Sequence, residues 1–141
     1  MIAGKWDLRG NFSRAFPIDC RAFHDPTTFH LRSHLGTHAG IQDSVIGAST
    51  LLKGVFHDCH RHLTAGGSEI FFGCTKGRHR SVALMHILRA CLSAYKVEFK
   101  YAESEWFSAG QWQCKDGRCS QCHSLHPKRM QDAINMWKSL K

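Results

Sequence analysis

One stretch, Gly73-Cys74-Thr75-Lys76-Gly77-Arg78-His79-Arg80-Ser81, constrains this chain more than any other. Before it, Glu69-Ile70-Phe71-Phe72 is a short apolar run bounded by Gly66-Gly67 and Gly73, which suits a buried strand. After it, Val82, Met85, Leu88 and Leu92 recur on one face of a helix predicted from Ser81 to about Lys96. A strand that runs through a tight turn straight into a helix gathers backbone N–H groups into one concavity. The positive end of the helix dipole faces the same point. Gly77 permits the tight turn. Lys76, Arg78 and Arg80 add cations, and the Arg80 fork suits two oxygens of one anion. Cys74 is placed to act as a nucleophile, and Ser81 to bond its sulfur or cap the helix. The phosphate-binding set read here is Cys74, Thr75, Lys76, Gly77, Arg78, His79, Arg80 and Ser81.

The rest of the chain fits around that unit. Ala15 to Phe23 is apolar-rich and reads as a strand, with a turn at Asp25-Pro26. His30 to Gly40 reads as a polar loop. Ile41, Val45, Leu52, Val55, Phe56, Cys59 and Leu63 keep helical spacing, so one long helix is predicted there, stopped by Gly66-Gly67. Val97 to Tyr101 alternates as a strand does. A last helix begins at His126-Pro127, with Pro at its first position, and carries Met130, Ile134, Trp137 and Lys141 on one face. Strand, helix, strand, helix, strand, helix predicts an α/β fold: a single three-layer domain with a mainly parallel sheet. The domain is expected to span 1–141, with a core at about 15–101, a Cys-rich insert at about 112–126 and the C-terminal helix at about 127–140. In such sheets ligands bind beyond the carboxyl ends of the strands, where the Cys74 loop falls.

Composition narrows the partners. The chain has 141 residues with 19 Lys and Arg against 11 Asp and Glu, a net charge of +8. An apolar fraction of 43% argues against disorder. No apolar run approaches the ~20 residues of a membrane span, and the N-terminus lacks the pattern of a secretory signal. The charge favours phosphorylated small molecules, RNA or acidic protein surfaces. Seven cysteines without a signal predict reduced thiols and a cytoplasmic setting, nuclear and organellar ones being also compatible.

Two resemblances sharpen the loop. Cys74 and Arg80 are spaced as in the C-x5-R loop of cysteine-dependent phosphatases, where the Cys attacks phosphorus, the Arg holds equatorial oxygens and an Asp protonates the leaving group. On that likeness Cys74 and Arg80 are catalytic, with Asp25 and Asp43 as candidate acids. The run Cys74-Thr75 … Gly77 … His79-Arg80-Ser81-Val82 resembles the signature of the C-terminal domain of RapZ-type RNase adapter proteins. That family's Asp-x-Arg-Phe, Asn-Pro, Leu-Arg and Thr-Gly-Leu-Asp-x-x-Val segments also find counterparts, in order, at Asp19 to Phe23, Asp25-Pro26, Leu31-Arg32 and Gly36 to Val45. The resemblance implies a phosphate site at Cys74, Thr75, Gly77, His79 and Arg80, with Asp19, Arg21 and Arg32 in the same pocket. It also implies glucosamine-6-phosphate and small RNA as ligands, and an endonuclease or a separate ATP-binding unit as partner. No Walker A loop is present, so no ATP is expected in this chain. Lys76 stands where the family has its first loop Gly.

Cys114, Cys119 and Cys122 sit close together, followed by His123 and His126. The Cys119-x-x-Cys122 knuckle is a common half-site for tetrahedral zinc, and Cys114 with His126 (or His123 in its place) would complete Cys3His. A small zinc-type loop before the last helix is therefore expected. His30, His34 and His38 read as solvated or phosphate-facing. His57, Cys59, His60 and His62 read as a basic end to the long helix. Trp106, Phe107 and Trp112 read as core, or as a stacking surface for bases. The reading that explains most of the chain is a phosphate- or phosphosugar-binding adapter or sensor with an RNA surface. The alternatives are a cysteine-dependent phosphatase and a structural subunit of a larger RNA-containing or protein assembly. A homo-oligomer fits any of the three, and no membrane partner is expected.

Overall fold

The computed structural model describes residues 1–24, 34–98, 100–102 and 127–140. Four strands form one sheet: β1 (Ile2–Lys5), β2 (Phe16–Asp19), β3 (Ile70–Cys74) and β4 (Lys100–Tyr101). The order across the sheet is β2-β3-β1-β4 and every pairing is parallel. Between β1 and β2 runs a 3-10 segment, Trp6–Phe12. The α-helices among the described residues are α1 (Ala39–Gly47), α2 (Ser49–Thr64), α3 (Arg80–Cys91) and α4 (Met130–Lys138). None of them is long and apolar enough to cross a membrane.

The two faces of the sheet are unlike. Ala3, Ile18, Ile70, Phe72 and Cys74 lie on one face and join a core with Ile41 and Val45 of α1, Leu52, Phe56 and Cys59 of α2, Val82, Leu84, Met85, Ile87 and Leu88 of α3, and Ala133 of α4. On the other face Phe71 stacks on Phe12 with ring centroids 5.5 Å apart. Trp6 lies so close to Gly73 there that a Cβ on the glycine would stand 2.7 Å from its ring. Among the described residues all four helices pack on one side of the sheet and the 3-10 segment lies on the other. Strand β3 is buried along its whole length. Burial on both faces explains why its sequence is a continuous apolar run.

Several boundaries depart from the sequence expectation. The N-terminal strand β1 was not foreseen, because Ile2-Ala3-Gly4-Lys5 has almost no β-branched or aromatic content. The strand expected over Ala15 to Phe23 is only Phe16–Asp19. The single long helix is two. Ala48 leaves the helical region (φ −80°, ψ 63°), giving its N–H to Val45 O while its carbonyl starts α2 by accepting from Leu52 N. Periodicity alone misses that break, because α1 and α2 present their apolar positions to the same core. The helix from Ser81 ends at Cys91 rather than Lys96. Pro127 is not the first residue of α4 but stands three residues before it, its carbonyl accepting from Met130 N at 3.2 Å.

Candidate phosphate-binding loop

The residues 75–79 leave the carboxyl end of β3, the second strand of the sheet, and enter α3. They lie beside the ends of β1 and β2, since Lys5 is in register with Cys74 and Asp19 with Gly73. Gly77 makes the turn with φ +73°. Its left-handed backbone presses against β1: a Cβ would stand 2.6 Å from Lys5 N and 2.7 Å from Gly4 C. Glycine is therefore required twice over here, by conformation and by space.

Beneath the turn, Cys74 is 1% exposed. Its sulfur accepts from Gly77 N–H at 3.3 Å, and its thiol donates to Ser81 Oγ at 3.2 Å. Thr75 and Lys76 are exposed at the rim. The His79 side chain, at the N-cap of α3, makes no capping bond to the helix. The first-turn N–H groups of a helix point past its N-terminus, toward the loop, which is the arrangement that favours an anion.

Arg80 is buried and acts as a clamp. Nη1 donates to the carbonyls of Arg21 and Phe23, both at 3.0 Å, and Nη2 donates to Thr75 Oγ1 at 3.3 Å. Its buried Nε has no hydrogen-bond partner among the described residues. Arg80 thus ties the chain after β2 to the loop after β3. His79 does similar work, with Nε2 2.7 Å from the His34 carbonyl. Gly36 completes the docking. Its N–H donates to Arg78 O at 2.8 Å, and a Cβ there would stand 2.7 Å from Val82 Cβ.

Asp19 and Arg21 pair with each other at the rim, Arg21 Nη2 to Asp19 Oδ2 at 2.7 Å and Arg21 Nε to Oδ1 at 2.9 Å. The Arg21 hydrogen bond holds the Asp19 carboxyl below its ordinary range. Arg21 and Arg9 both lie over the Trp6 ring, 5.0 Å and 4.4 Å from its centroid. Sequence reasoning missed Gly4, Lys5, Trp6 and Arg9 at this end of the sheet, since it had not recognised β1.

The remaining sequence candidates divide. Asp43 is engaged elsewhere: its carboxylate accepts from Lys128 N at 3.2 Å and Arg129 N at 2.8 Å, at the start of α4. As a general acid beside Cys74 it is therefore misplaced. His38 caps α1, Nδ1 accepting from Gly40 N at 2.9 Å, with its ring beside His34. His60 packs edge-on against Trp137, and His62 stacks on Phe16 and lies 3.0 Å from Glu69 O. Their place is in packing rather than in a free basic end. Asp25, His30, Arg32, Trp106, Phe107, Trp112 and the set Cys114, Cys119, Cys122, His123 and His126 lie outside the described residues. Among the described residues no three His, Cys, Asp or Glu side chains are grouped to hold a metal ion.

A family model described as the RapZ C-terminal domain matches residues 10–105. The chain belongs to the RapZ C-terminal domain family. The match spans the loop, β2, β3, β4 and α1 to α3, and leaves β1, Trp6 and α4 outside it. No curated protein and no solved structure gives a significant match.

Proposed function

We propose that this RapZ-type domain is an adapter or sensor that receives a phosphate monoester, a phosphosugar in particular, in the loop Cys74–Ser81. The observation that carries the reading is the Gly77 turn. It folds the loop over the start of α3, where the N-cap residue His79 makes no capping bond, with Thr75 and Lys76 exposed at its rim. The family membership supports the same ligand class. Arg80 weighs against the phosphatase alternative. A phosphate holder in a C-x5-R enzyme offers its guanidinium fork to the substrate, whereas Arg80 spends Nη1 on two backbone carbonyls. The carboxylates weigh the same way: Asp43 is committed to α4, and Asp19 at the rim is held by Arg21 as a carboxylate with a lowered pKa, which suits a proton donor poorly.

The test is thermal unfolding with inorganic phosphate and with glucosamine-6-phosphate, alongside hydrolysis of 4-nitrophenyl phosphate by wild type and Cys74→Ser. Saturating ligand at 100 times its Kd is expected to stabilise the fold by about 2.7 kcal/mol. Lys76→Ala is expected to reduce the shift, with no turnover by either protein. Turnover that disappears in Cys74→Ser would establish the enzyme instead.

The net charge of +8 supports an RNA-contacting surface on the same domain. Binding of a single-stranded RNA that weakens steeply between 50 and 200 mM salt is the expected result. The donor set Cys114, Cys119, Cys122 and His126 suits zinc in its tetrahedral Cys3His form. A structural zinc there is part of this proposal, tested by metal content before and after chelation.

A further inference from the structure

The last ladder pair between β2 and β3 is Asp19 with Gly73, and Cys20 N–H extends the ladder by donating to Gly73 O at 2.7 Å. One step further in register, Cys20 stands beside Cys74. Both continue the helix-facing side of their strands, after Ile18 and Phe72, and both belong to the same core. Cys20 is fully buried and Cys74 is 1% exposed. Neighbouring strands run ~4.8 Å apart, inside the span of about 4.4–6.8 Å between Cα atoms that a disulfide bridges.

From this juxtaposition we infer that Cys20 and Cys74 form a reversible disulfide under peroxide, which switches off the loop above it. The disulfide rests on the register alone. Its effect on phosphate rests on the function proposed above.

Cys74 is the thiol that meets the oxidant first. It lies directly under the loop, receives the Gly77 N–H, and is followed in sequence by two exposed residues. Cys20 has no such contact with the loop: its thiol donates to Ile18 O at 3.7 Å, and burial, followed by the neighbouring Cys74, Cys59 and Asp19, raises its pKa and keeps it a thiol. In the first step the Cys74 sulfur attacks one peroxide oxygen. The O–O bond breaks, a sulfenic acid forms and one water leaves. In the second, the Cys20 sulfur attacks the Cys74 sulfur. The S–OH bond breaks and hydroxide leaves with the Cys20 proton as a second water. Two thiols have lost two electrons and one peroxide has gained them. The bridge removes the hydrogen that Cys74 gives Ser81 and draws away the sulfur that receives Gly77 N–H.

The experiment treats the full reduced chain with hydrogen peroxide, blocks remaining thiols with N-ethylmaleimide and maps the peptides by mass. Expected is a Cys20–Cys74 linked peptide, two hydrogens lighter than its parts and released by dithiothreitol. The phosphate-induced rise in Tm should vanish on oxidation and return on reduction. In Cys20→Val, an apolar replacement of near-equal volume, Cys74 should instead proceed to sulfinic acid and stay inactive under dithiothreitol. Cys74 linked to Cys59 or to another thiol would overturn the inference. So would Cys74 sulfinic acid beside an intact Cys20 in the wild type, or both thiols surviving peroxide that oxidises the remaining cysteines. A linked peptide in a protein whose reduced form shows no phosphate shift would leave the disulfide standing and remove the phosphate reading.

Discussion

Gly77 and Lys5 touch where two strand ends meet: the turn after β3 lies so close on β1 that a Cβ on Gly77 would stand 2.6 Å from the Lys5 nitrogen. The loop is thus shaped partly by a strand that pairs with β3 along its whole length. Gly77→Ala is expected to cost ~1–2 kcal/mol for the left-handed backbone alone, with the contact on β1 added to it. Urea unfolding measures the loss, and phosphate should no longer raise the Tm. Unchanged stability would show that the turn relaxes freely.

Asp43 holds α4 against α1 by accepting from two backbone N–H groups at its start. Asp43→Ala should destabilise the domain by ~1 kcal/mol, as the loss of a helix cap does. The phosphate-induced shift should keep its size, because the residue serves the helix and not the loop. A selective loss of ligand response in this variant would return Asp43 to the site.

Phe56 is fully buried and meets Trp137 edge to face, with centroids 5.3 Å apart. That contact joins α2 to α4 over the core. Phe56→Ala should cost about 3–5 kcal/mol, the range for emptying a buried aromatic position. Tryptophan emission should shift to the red as Trp137 gains solvent. A cost under ~1 kcal/mol would mean that the helices collapse into the space.

His86 sets a pH dependence. Burial, with the Arg89 charge behind it, lowers its pKa from 6.5 to about 4. In the unfolded chain the imidazole protonates near its ordinary value, whereas the folded chain keeps it neutral. Stability should therefore be whole above pH ~6.5 and fall as pH drops toward ~4, by about 3 kcal/mol over the full window. His86→Gln, which keeps a group for the Tyr101 hydroxyl 3.0 Å away, should flatten that slope. An equal slope in wild type and variant would assign the effect to other groups.

What the sequence made legible was what its local pattern encodes. β3 could be found because burial on both faces demands an unbroken apolar run. The loop could be found because Gly77 and its cations sit between a strand pattern and a helix pattern. β1 stayed hidden because its small residues serve close approach: a Cβ on Gly4 would run into Ala102, and one on Gly77 would run into the Gly4 backbone. The break at Ala48 left no mark on the apolar spacing. Arg80 was legible as a functional cation but not as a clamp, since its partners are carbonyls after β2, 57 and 59 residues away. Cys20 and Cys74 look unrelated along the chain and become neighbours only through the register.

The place of β1 bears on how this domain can be cut. The family-matching stretch begins at residue 10, beyond the strand that separates β3 from β4. A fragment trimmed to that stretch would keep β2 beside β3 but leave β4 without its only neighbour among the described residues. It would also open a slot one strand wide along β3. A short peptide carrying residues 1–12 has the right register, and the right tryptophan and phenylalanine, to fill that slot from outside. The same slot would accept the first twelve residues of a full-length copy, so a shortened form mixed with the whole chain would compete with it for its own first strand.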